Sequence, residues 1–188
     1  MNGSYGVVLF LREENNKIIK YKMKTEVKFI IADASFGHYA EEIEKIIRVE
    51  AEEGKMFAWS EAELKEAIDN GNAVLALVDE EIIGFVSLVI YQNFVEVCSL
   101  IVATEHREKG IGTSLVQKAV GLASRKYPNK NIILFSNKIS FHLGEKNGFV
   151  AVDKSALIDD KIWETCPLCS EYKEFPDCHC RPMMLVRY

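Results

Sequence analysis

The spacing of apolar and polar residues predicts a series of strands and helices along most of the chain. Residues 7–23 hold two β-prone runs on either side of the polar residues 13–16, which is typical of a β-hairpin. Val27–Ile31 predicts a short buried strand. A helix that ends at Gly54 is predicted next by apolar residues at helical spacing, namely Phe36, Tyr39, Ile43, Ile46 and Ile47.

A second helix carries a clear start signal. Ser60 and Glu63 form a capping box, and Trp59 and Leu64 are placed to form a hydrophobic staple over it. The helix stops at residues 69–71. Three strands follow, at Val74–Val78, Ile82–Ile90 and Phe94–Val102. The short polar turns between these strands predict that they are antiparallel neighbours.

The most regular helix follows Gly110. Its apolar stripe consists of Ile111, Leu115, Ala119 and Leu122. The rest of the chain predicts a strand, a short helix and two further strands, at Ile132–Phe135, Ile139–Lys146, Phe149–Val152 and Met183–Tyr188. This mixture of elements predicts one α/β (α+β) domain at 25–188, with the hairpin at 1–24 as an extension.

Composition narrows the classes of protein to which the chain can belong. Apolar residues make up 48% and charged residues 27% of its 188 positions, which is typical of a soluble globular domain. Its net charge of −5 gives no broad attraction to nucleic acid or anionic lipid. No apolar segment is long enough to span a bilayer, and Tyr5–Leu11 lacks the basic start and cleavage site of a signal peptide. We therefore expect a cytoplasmic protein with no nucleic-acid or membrane partner.

The most informative segment is the turn between the strand that ends at Val102 and the helix that follows. Arg107, Gly110 and Gly112 lie in this turn. Glycines have no Cβ atom, so the backbone can approach a ligand closely, and the helix start presents unpaired N–H groups and the positive end of its dipole. The turn therefore predicts a site for phosphate or pyrophosphate. The alternative is a plain strand-to-helix turn with a glycine cap and no ligand.

Two other phosphate-binding motifs are excluded. The dinucleotide fingerprint needs a third glycine at fixed spacing, and the Walker loop needs Gly-Lys followed by Ser or Thr, and neither pattern is present. Arg107-x-x-Gly110-x-Gly112, after an apolar strand and before an amphipathic helix, instead resembles the pyrophosphate-binding motif of the GNAT superfamily of acetyltransferases. The resemblance covers about residues 25–152 and includes the order of the elements, Asn137 and the pair Gly148-Phe149.

This resemblance implies an acetyl-CoA-dependent N-acetyltransferase with a mixed, mostly antiparallel central sheet flanked by helices. Coenzyme A would lie in a splay between Phe94–Val102 and Ile132–Phe135, with its pantetheine arm bonded to the strand backbone near Leu100–Val102. The residues implied in cofactor binding are Leu100, Ile101, Val102, Arg107, Glu108, Lys109, Gly110, Ile111, Gly112, Thr113 and Asn137. The partners would be acetyl-CoA and an amine of a small molecule or protein.

Acetyl transfer to an amine requires a base that removes the amine proton and an acid that protonates the departing thiolate. Glu96 matches the strand glutamate that acts as the base in histone-acetyltransferase members of the superfamily, and its apolar strand would raise its pKa. The alternative is an exposed strand glutamate with no catalytic role. The family's usual acid is a tyrosine, but Gly144 stands at that position. His142 or Ser140 on the same short helix could substitute for it.

Four of the five cysteines lie in one short segment, as Cys166, Cys169, Cys178 and Cys180. Cys-x-x-Cys followed by a second close pair predicts a tetrahedral site, and zinc suits four sulfur ligands. Such a structural site would staple a loop at 160–182 and leave no open position for catalysis. His179 could replace one cysteine, and reduced thiols or disulfides are the alternatives.

Three functions fit these patterns. The first is an active acetyltransferase, the second is an acyl-CoA-binding sensor without turnover, and the third is a zinc-dependent interaction module. The missing tyrosine at Gly144 favours the second, whereas the acidic charge counts against nucleic acid as a partner in the third. The acceptor has no recognisable sequence code, and the N-terminal hairpin could pair across a homodimer.

Overall fold

The computed structural model describes residues 4–14, 17–138, 140–164, 166 and 180–186. The strands in these ranges are β1 Ser4–Glu14, β2 Lys17–Glu26, β3 Lys28–Ile31, β4 Ala73–Val78, β5 Glu81–Ile90, β6 Phe94–Val102, β7 Asn131–Ser136, β8 Phe149–Ala151 and β9 Arg181–Leu185. The α-helices are α1 Ala40–Glu52, α2 Glu61–Asp69, α3 Ile111–Lys126 and α4 Phe141–Lys146. Within this part of the chain, no helix has the length and apolar character needed to cross a membrane.

The strands form two separate sheets. β1 and β2 pair as the predicted antiparallel hairpin, and the remaining seven strands form one sheet in the order β3-β4-β5-β6-β7-β9-β8. Neighbours in this sheet are antiparallel except β6 and β7, which run parallel. The predicted mixed, mostly antiparallel sheet is therefore confirmed, and β4, β5 and β6 are antiparallel neighbours as expected.

The two helices predicted before β4 are both present. The helix predicted after Phe36 starts as a 3-10 turn at Ala34–Tyr39 and continues as α1. The capping box of α2 is confirmed, because Ser60 Oγ accepts a bond from Glu63 N at 3.3 Å and Glu63 Oε2 accepts one from Ser60 N at 2.8 Å. Loss of such a cap costs about 1 kcal/mol.

Two predicted elements differ from those observed. β3 lies at the edge of the sheet and pairs with β4, and Ile31 is 43% exposed, so the prediction of a buried strand is wrong. An edge strand has a neighbour on one side only, which an apolar run does not reveal. The last strand begins earlier than predicted, at Arg181, whereas Ile139 and Tyr188 lie outside the described residues.

Helices cover the two faces of the seven-stranded sheet. α3 packs on one face, where its buried side chains are Ile111, Leu115, Val116, Ala119, Leu122 and Ala123. α1 and α2 cover the other face, where their buried residues include Ile43, Ile47, Leu64 and Ile68. Each buried large aliphatic side chain contributes about 1.5–3 kcal/mol relative to an exposed one. A third cluster joins Phe94 and Ile133 of the sheet to Leu157 and Ile162 of the segment after β8.

Candidate active site

The seven-stranded sheet opens between β6 and β7. These strands pair through Phe94–Asn131, Val95–Ile132 and Glu96–Ile133, and the pairing stops there although both strands continue. The edge of β6 that faces the opening therefore has backbone N–H and C=O groups that β7 does not satisfy. The splay expected between these strands is present.

A β-bulge in β6 sets which side chains face each side of this opening. β6 has an extra residue relative to β5 around Ser99, whose φ of 53° lies in the left-handed region. A bulge shifts the alternation of side chains along a strand. As a result, Leu100 and Val102 pack against the core beneath α3, whereas Ile101 packs on the face that α1 and α2 cover.

The start of α3 lies at the opening. Its N-cap residue Gly110 has a φ of 80°, which favours glycine, and no side chain caps the helix. The N–H groups of the first turn, Ile111–Thr113, are therefore available to an anion. A Cβ added at Gly112 would have its nearest neighbour, Leu143 Cδ2, at 3.8 Å, so the packing of the protein does not itself require glycine there.

These elements enclose a cleft of about 600 Å³. That volume is within the range of small-molecule and cofactor sites. The cleft is lined by ten of the residues predicted to bind a cofactor, namely Leu100, Ile101, Val102, Arg107, Glu108, Gly110, Ile111, Gly112, Thr113 and Asn137. The eleventh, Lys109, does not line it, because its Nζ donates to Glu105 O at 2.7 Å.

The end of α1 closes one side of the cleft, which the sequence did not predict. Glu50, Lys55 and Met56 line this side. Glu50 accepts a bond from Arg107 Nη2 at 2.7 Å and lies 3.3 Å from Lys55 Nζ, and the Arg107 guanidinium holds the pKa of Glu50 below its usual range. Arg107 Nε also donates to Val102 O at 2.9 Å. The Arg107 side chain therefore holds the glycine turn against α1 and β6.

The opposite wall of the cleft is built by the end of β7 and by α4. Asn137 Oδ1 accepts bonds from Ser140 N at 3.0 Å and Ser140 Oγ at 3.1 Å, while its Nδ2 donates to Lys55 O at 3.2 Å. Asn137 thus connects β7 to the segment after α1. Leu143 and the exposed Lys146 complete the wall, and the ammonium of Lys146 adds positive charge for an anionic ligand.

Glu96 lies at the apex of the opening, as the last residue of β6 that pairs with β7. It does not itself line the cleft. It shares a strand face with Phe94, which packs on the side opposite α3. Burial raises the pKa of Glu96 to about 7, although a hydrogen bond from Tyr91 acts in the opposite direction. A carboxylate with a pKa near neutrality is suited to act as a general base.

The sequence places this fold in a known family. The family model for the acetyltransferase (GNAT) family matches residues 40–149, which is more than half of the chain. The chain belongs to the GNAT acetyltransferase family. It is also 32% identical over 90 residues to an uncharacterized N-acetyltransferase of Chlorobaculum tepidum. The match covers 47% of this chain, and it spans 56% of that relative's length.

Solved structures share the GNAT fold. Rv2747 from Mycobacterium tuberculosis, in complex with CoA and NLQ, has a TM-score of 0.65 and 16% identity, over 86% of this chain and 99% of that one. N-acetylglutamate synthase from Neisseria gonorrhoeae, complexed with coenzyme A and N-acetyl-glutamate, has a TM-score of 0.66 and 17% identity, over 88% of this chain and 37% of that one. At these identities the likeness establishes the fold.

None of the residues considered as the acid that protonates the CoA thiolate has a free acidic group in the cleft. His142 is 87% exposed and its Nδ1 lies 4.0 Å from Glu145 Oε2, so the structure does not bring it to the site. Ser140 does line the cleft, but its hydroxyl is bonded to Asn137. A Cβ added at Gly144 would lie 2.6 Å from Met183 Sδ. In this structure the Met183 side chain of β9 occupies the space next to Gly144, and it would have to move for a side chain at that position.

The predicted zinc site lies mostly outside the described residues. Cys169, Cys178 and His179 fall there, whereas Cys166 and Cys180 are described and half-buried. Among the residues that the structure does describe, no group of three or more His, Cys, Asp or Glu side chains could hold a metal ion. Zinc binding by the four cysteines therefore stays a prediction.

Proposed function

We propose that this protein transfers an acetyl group from acetyl-CoA to an amine, by direct attack of the amine and with Glu96 as the general base. The observation that carries the proposal is the cleft, in which an open strand edge and an uncapped helix start meet, together with the half-buried carboxylate of Glu96 at the apex of the opening between β6 and β7. Two structures of the same fold hold coenzyme A, which supports this cofactor. A homodimer and a cytoplasmic location stay predictions.

The residues of the cleft fit acetyl-CoA, which supplies the acetyl group as a thioester. Its pyrophosphate would bind the N–H groups at residues 109–113, where the open start of α3 favours an anion. The amides of its pantetheine arm match the edge of β6 that β7 leaves unpaired, at Leu100–Val102. Lys146 adds charge at the rim for the phosphates.

Glu96 would take the proton of the attacking amine. Its pKa of about 7 means that the ionised form, which accepts the proton, prevails only above neutral pH. The rate at limiting acceptor should therefore rise with pH through an acidic limb near pH 7. α4 contains no tyrosine, so the CoA thiolate would leave as an anion and take its proton from water.

Glu96→Gln tests the proposed base. Turnover should fall by about 10²–10⁴, because a positioned base contributes this much, and the acidic limb should disappear. The assay follows loss of the acetyl-CoA thioester over a panel of polyamines, amino acids and lysine peptides, and calorimetry checks that coenzyme A binding is unchanged. Glu81→Gln, an exposed strand glutamate at the start of β5, is the matched control. Near-normal turnover of Glu96→Gln would remove Glu96 from the mechanism.

A second candidate is an acyl-CoA-binding sensor without turnover. The observation that favours it is that α4 contains no tyrosine and has Gly144 at the position considered for the acid. Consumption of acetyl-CoA in the presence of amines distinguishes the two candidate functions. A sensor would bind coenzyme A and leave acetyl-CoA intact over the whole amine panel, whereas a transferase would consume it with at least one acceptor.

A further inference from the structure

The turn between β5 and β6 is held from two sides. Tyr91 N donates to Phe94 O at 2.9 Å, which closes the turn. Lys130 Nζ, just before β7, donates to Tyr91 O at 2.7 Å and to Gln92 O at 2.5 Å. From the segment after β8, Asp159 Oδ2 accepts a bond from Gln92 N at 2.9 Å. The backbone that carries Tyr91 is therefore fixed in place relative to the sheet.

This turn directs the hydroxyl of Tyr91 at Glu96. The hydroxyl donates to Glu96 Oε2 at 2.8 Å, and the ring packs against the apolar cluster of Phe94, Ile133, Leu157 and Ile162. Within the described part of the chain, the carboxylate of Glu96 makes no other hydrogen bond. Its second oxygen, Oε1, is thus left for a water molecule or an amine.

Among the described residues, the ionisable groups that interact with Glu96 are Tyr91 from the turn and Cys98 from its own strand. Burial raises the pKa of the Cys98 thiol to about 12, and its Sγ lies 3.3 Å from Ser87 Oγ. Burial and the charge of Glu96 raise the pKa of Tyr91 above its usual range, and Asp159 adds to this effect. Cys98 and Tyr91 therefore both stay protonated near neutral pH. Of the two, Tyr91 is the one that donates to the carboxylate.

We propose that Tyr91 is a positioning residue for Glu96. Its hydroxyl holds Oε2, leaves Oε1 to accept the proton of the amine, and stabilises the ionised form of the base. A hydrogen bond donated to a carboxylate favours the charged state, and here it offsets part of the cost of burial. The inference rests on the role of Glu96 proposed above.

Tyr91→Phe tests the inference, because it keeps the ring and removes the hydroxyl. Loss of a hydrogen bond to a charged group should raise the pKa of Glu96 by about one unit. A ¹³C NMR titration of the side-chain carboxyl measures this pKa, and the Glu96→Gln variant assigns the signal. The acidic limb of the pH–rate profile should move up by the same amount. Turnover should therefore fall about 5-fold at pH 7 and recover in alkaline buffer, with an unchanged KM for acetyl-CoA.

Tyr127→Phe is the matched control. Its hydroxyl donates to Asn72 Oδ1 at 2.8 Å at the far end of α3, so its loss should change neither the carboxyl titration nor the pH profile. Glu96→Gln could be inactive while Tyr91→Phe leaves the pKa of Glu96 or the pH–rate profile unchanged. In that case the positioning role of Tyr91 is wrong, and Glu96 is still supported as the base. Near-normal turnover of Glu96→Gln overturns the base and the positioning role together.

Discussion

Glu96 lies on a largely buried strand. Its ionised carboxylate is poorly solvated there, so ionisation destabilises the folded protein. Burial raises its pKa from 4.5 to about 7, so between these values the folded protein holds a proton that the unfolded chain has released. The free energy of unfolding therefore falls as pH rises through this range, by on the order of 3 kcal/mol, and stays lower above it. A cost of this kind is common for carboxylates at functional sites.

Glu96→Gln should consequently make the protein more stable at pH 8. The amide keeps the shape of the side chain and can still accept the Tyr91 bond, but it is never charged. Thermal unfolding should show a higher Tm for the variant at pH 8, and the difference should vanish near pH 4.5. A variant that is less stable than wild type at pH 8 would contradict this account of the buried charge.

Glu63→Gln is a control for which we expect the opposite change in stability at pH 8. The hydrogen bonds of Ser60 hold the pKa of Glu63 below its usual range, so its ionised form stabilises the fold above the unfolded-state pKa. This stabilisation is lost as pH falls through the folded-state pKa. The Gln variant should therefore be the less stable protein at pH 8 and approach wild type in acid.

Among the elements, α3 differs from α1 and α2 in how it begins. The first turns of α1 and α2 carry glutamates, which complement the positive end of the helix dipole. α3 has no acidic residue in its first turn and no side-chain cap. A helix without an N-terminal cap is about 1 kcal/mol less stable than a capped one, and a bound phosphate can supply the missing stabilisation. The missing cap and the missing acidic charge leave the N–H groups at the start of α3 open to a phosphate.

Gly112→Val should abolish much of the affinity for coenzyme A. The added side chain would enter the cleft, and an overpacking cost of about 1–3 kcal/mol corresponds to an affinity loss of about 5- to 150-fold. Gly121→Val places the same side chain in the same helix, away from the cleft, and should bind as wild type does. Isothermal titration with coenzyme A measures both, and equal affinities would contradict the position assigned to the pyrophosphate.

Across the whole molecule, the segment after β8 lies over the same side of the sheet as Glu96. Leu157 and Ile162 pack on Phe94 and Ile133, while Val152 N donates to Pro182 O at 3.0 Å, where the chain returns to the sheet. The segment thus leaves and rejoins the sheet at one point. The predicted zinc loop at 160–182 belongs to this segment, and most of it lies outside the described residues.

We therefore expect about one equivalent of zinc in protein purified without chelator, and much less in Cys169→Ser. Zinc would offset an ordering cost of about 1–2 kcal/mol for each loop residue that it fixes. Cys98→Ser removes the cysteine on β6, far from the cluster in sequence, and should keep the metal. Coenzyme A binding should survive in both variants. A zinc content below about half an equivalent in wild type would contradict a tight site.

Local patterns predicted most of the elements because each depends on a few neighbouring residues. Ser60 and Glu63 lie three positions apart, and the stripe of α3 repeats every three to four residues. The pattern was insufficient for β3, because an edge position depends on which strands pair beside it. It was also insufficient for His142, because the exposed face of a short helix is set by what that helix packs against.

Contiguous residues define the glycine turn and the order of the elements around it, so the family could be read from the sequence. Only the tertiary structure brought Glu50, Lys55 and Lys146 to the cleft and the hydroxyl of Tyr91 to Glu96. It also placed the side chain of Met183, from another strand, against Gly144. These contacts join residues that are separated along the chain and depend on strand pairing and helix packing, which no local pattern encodes.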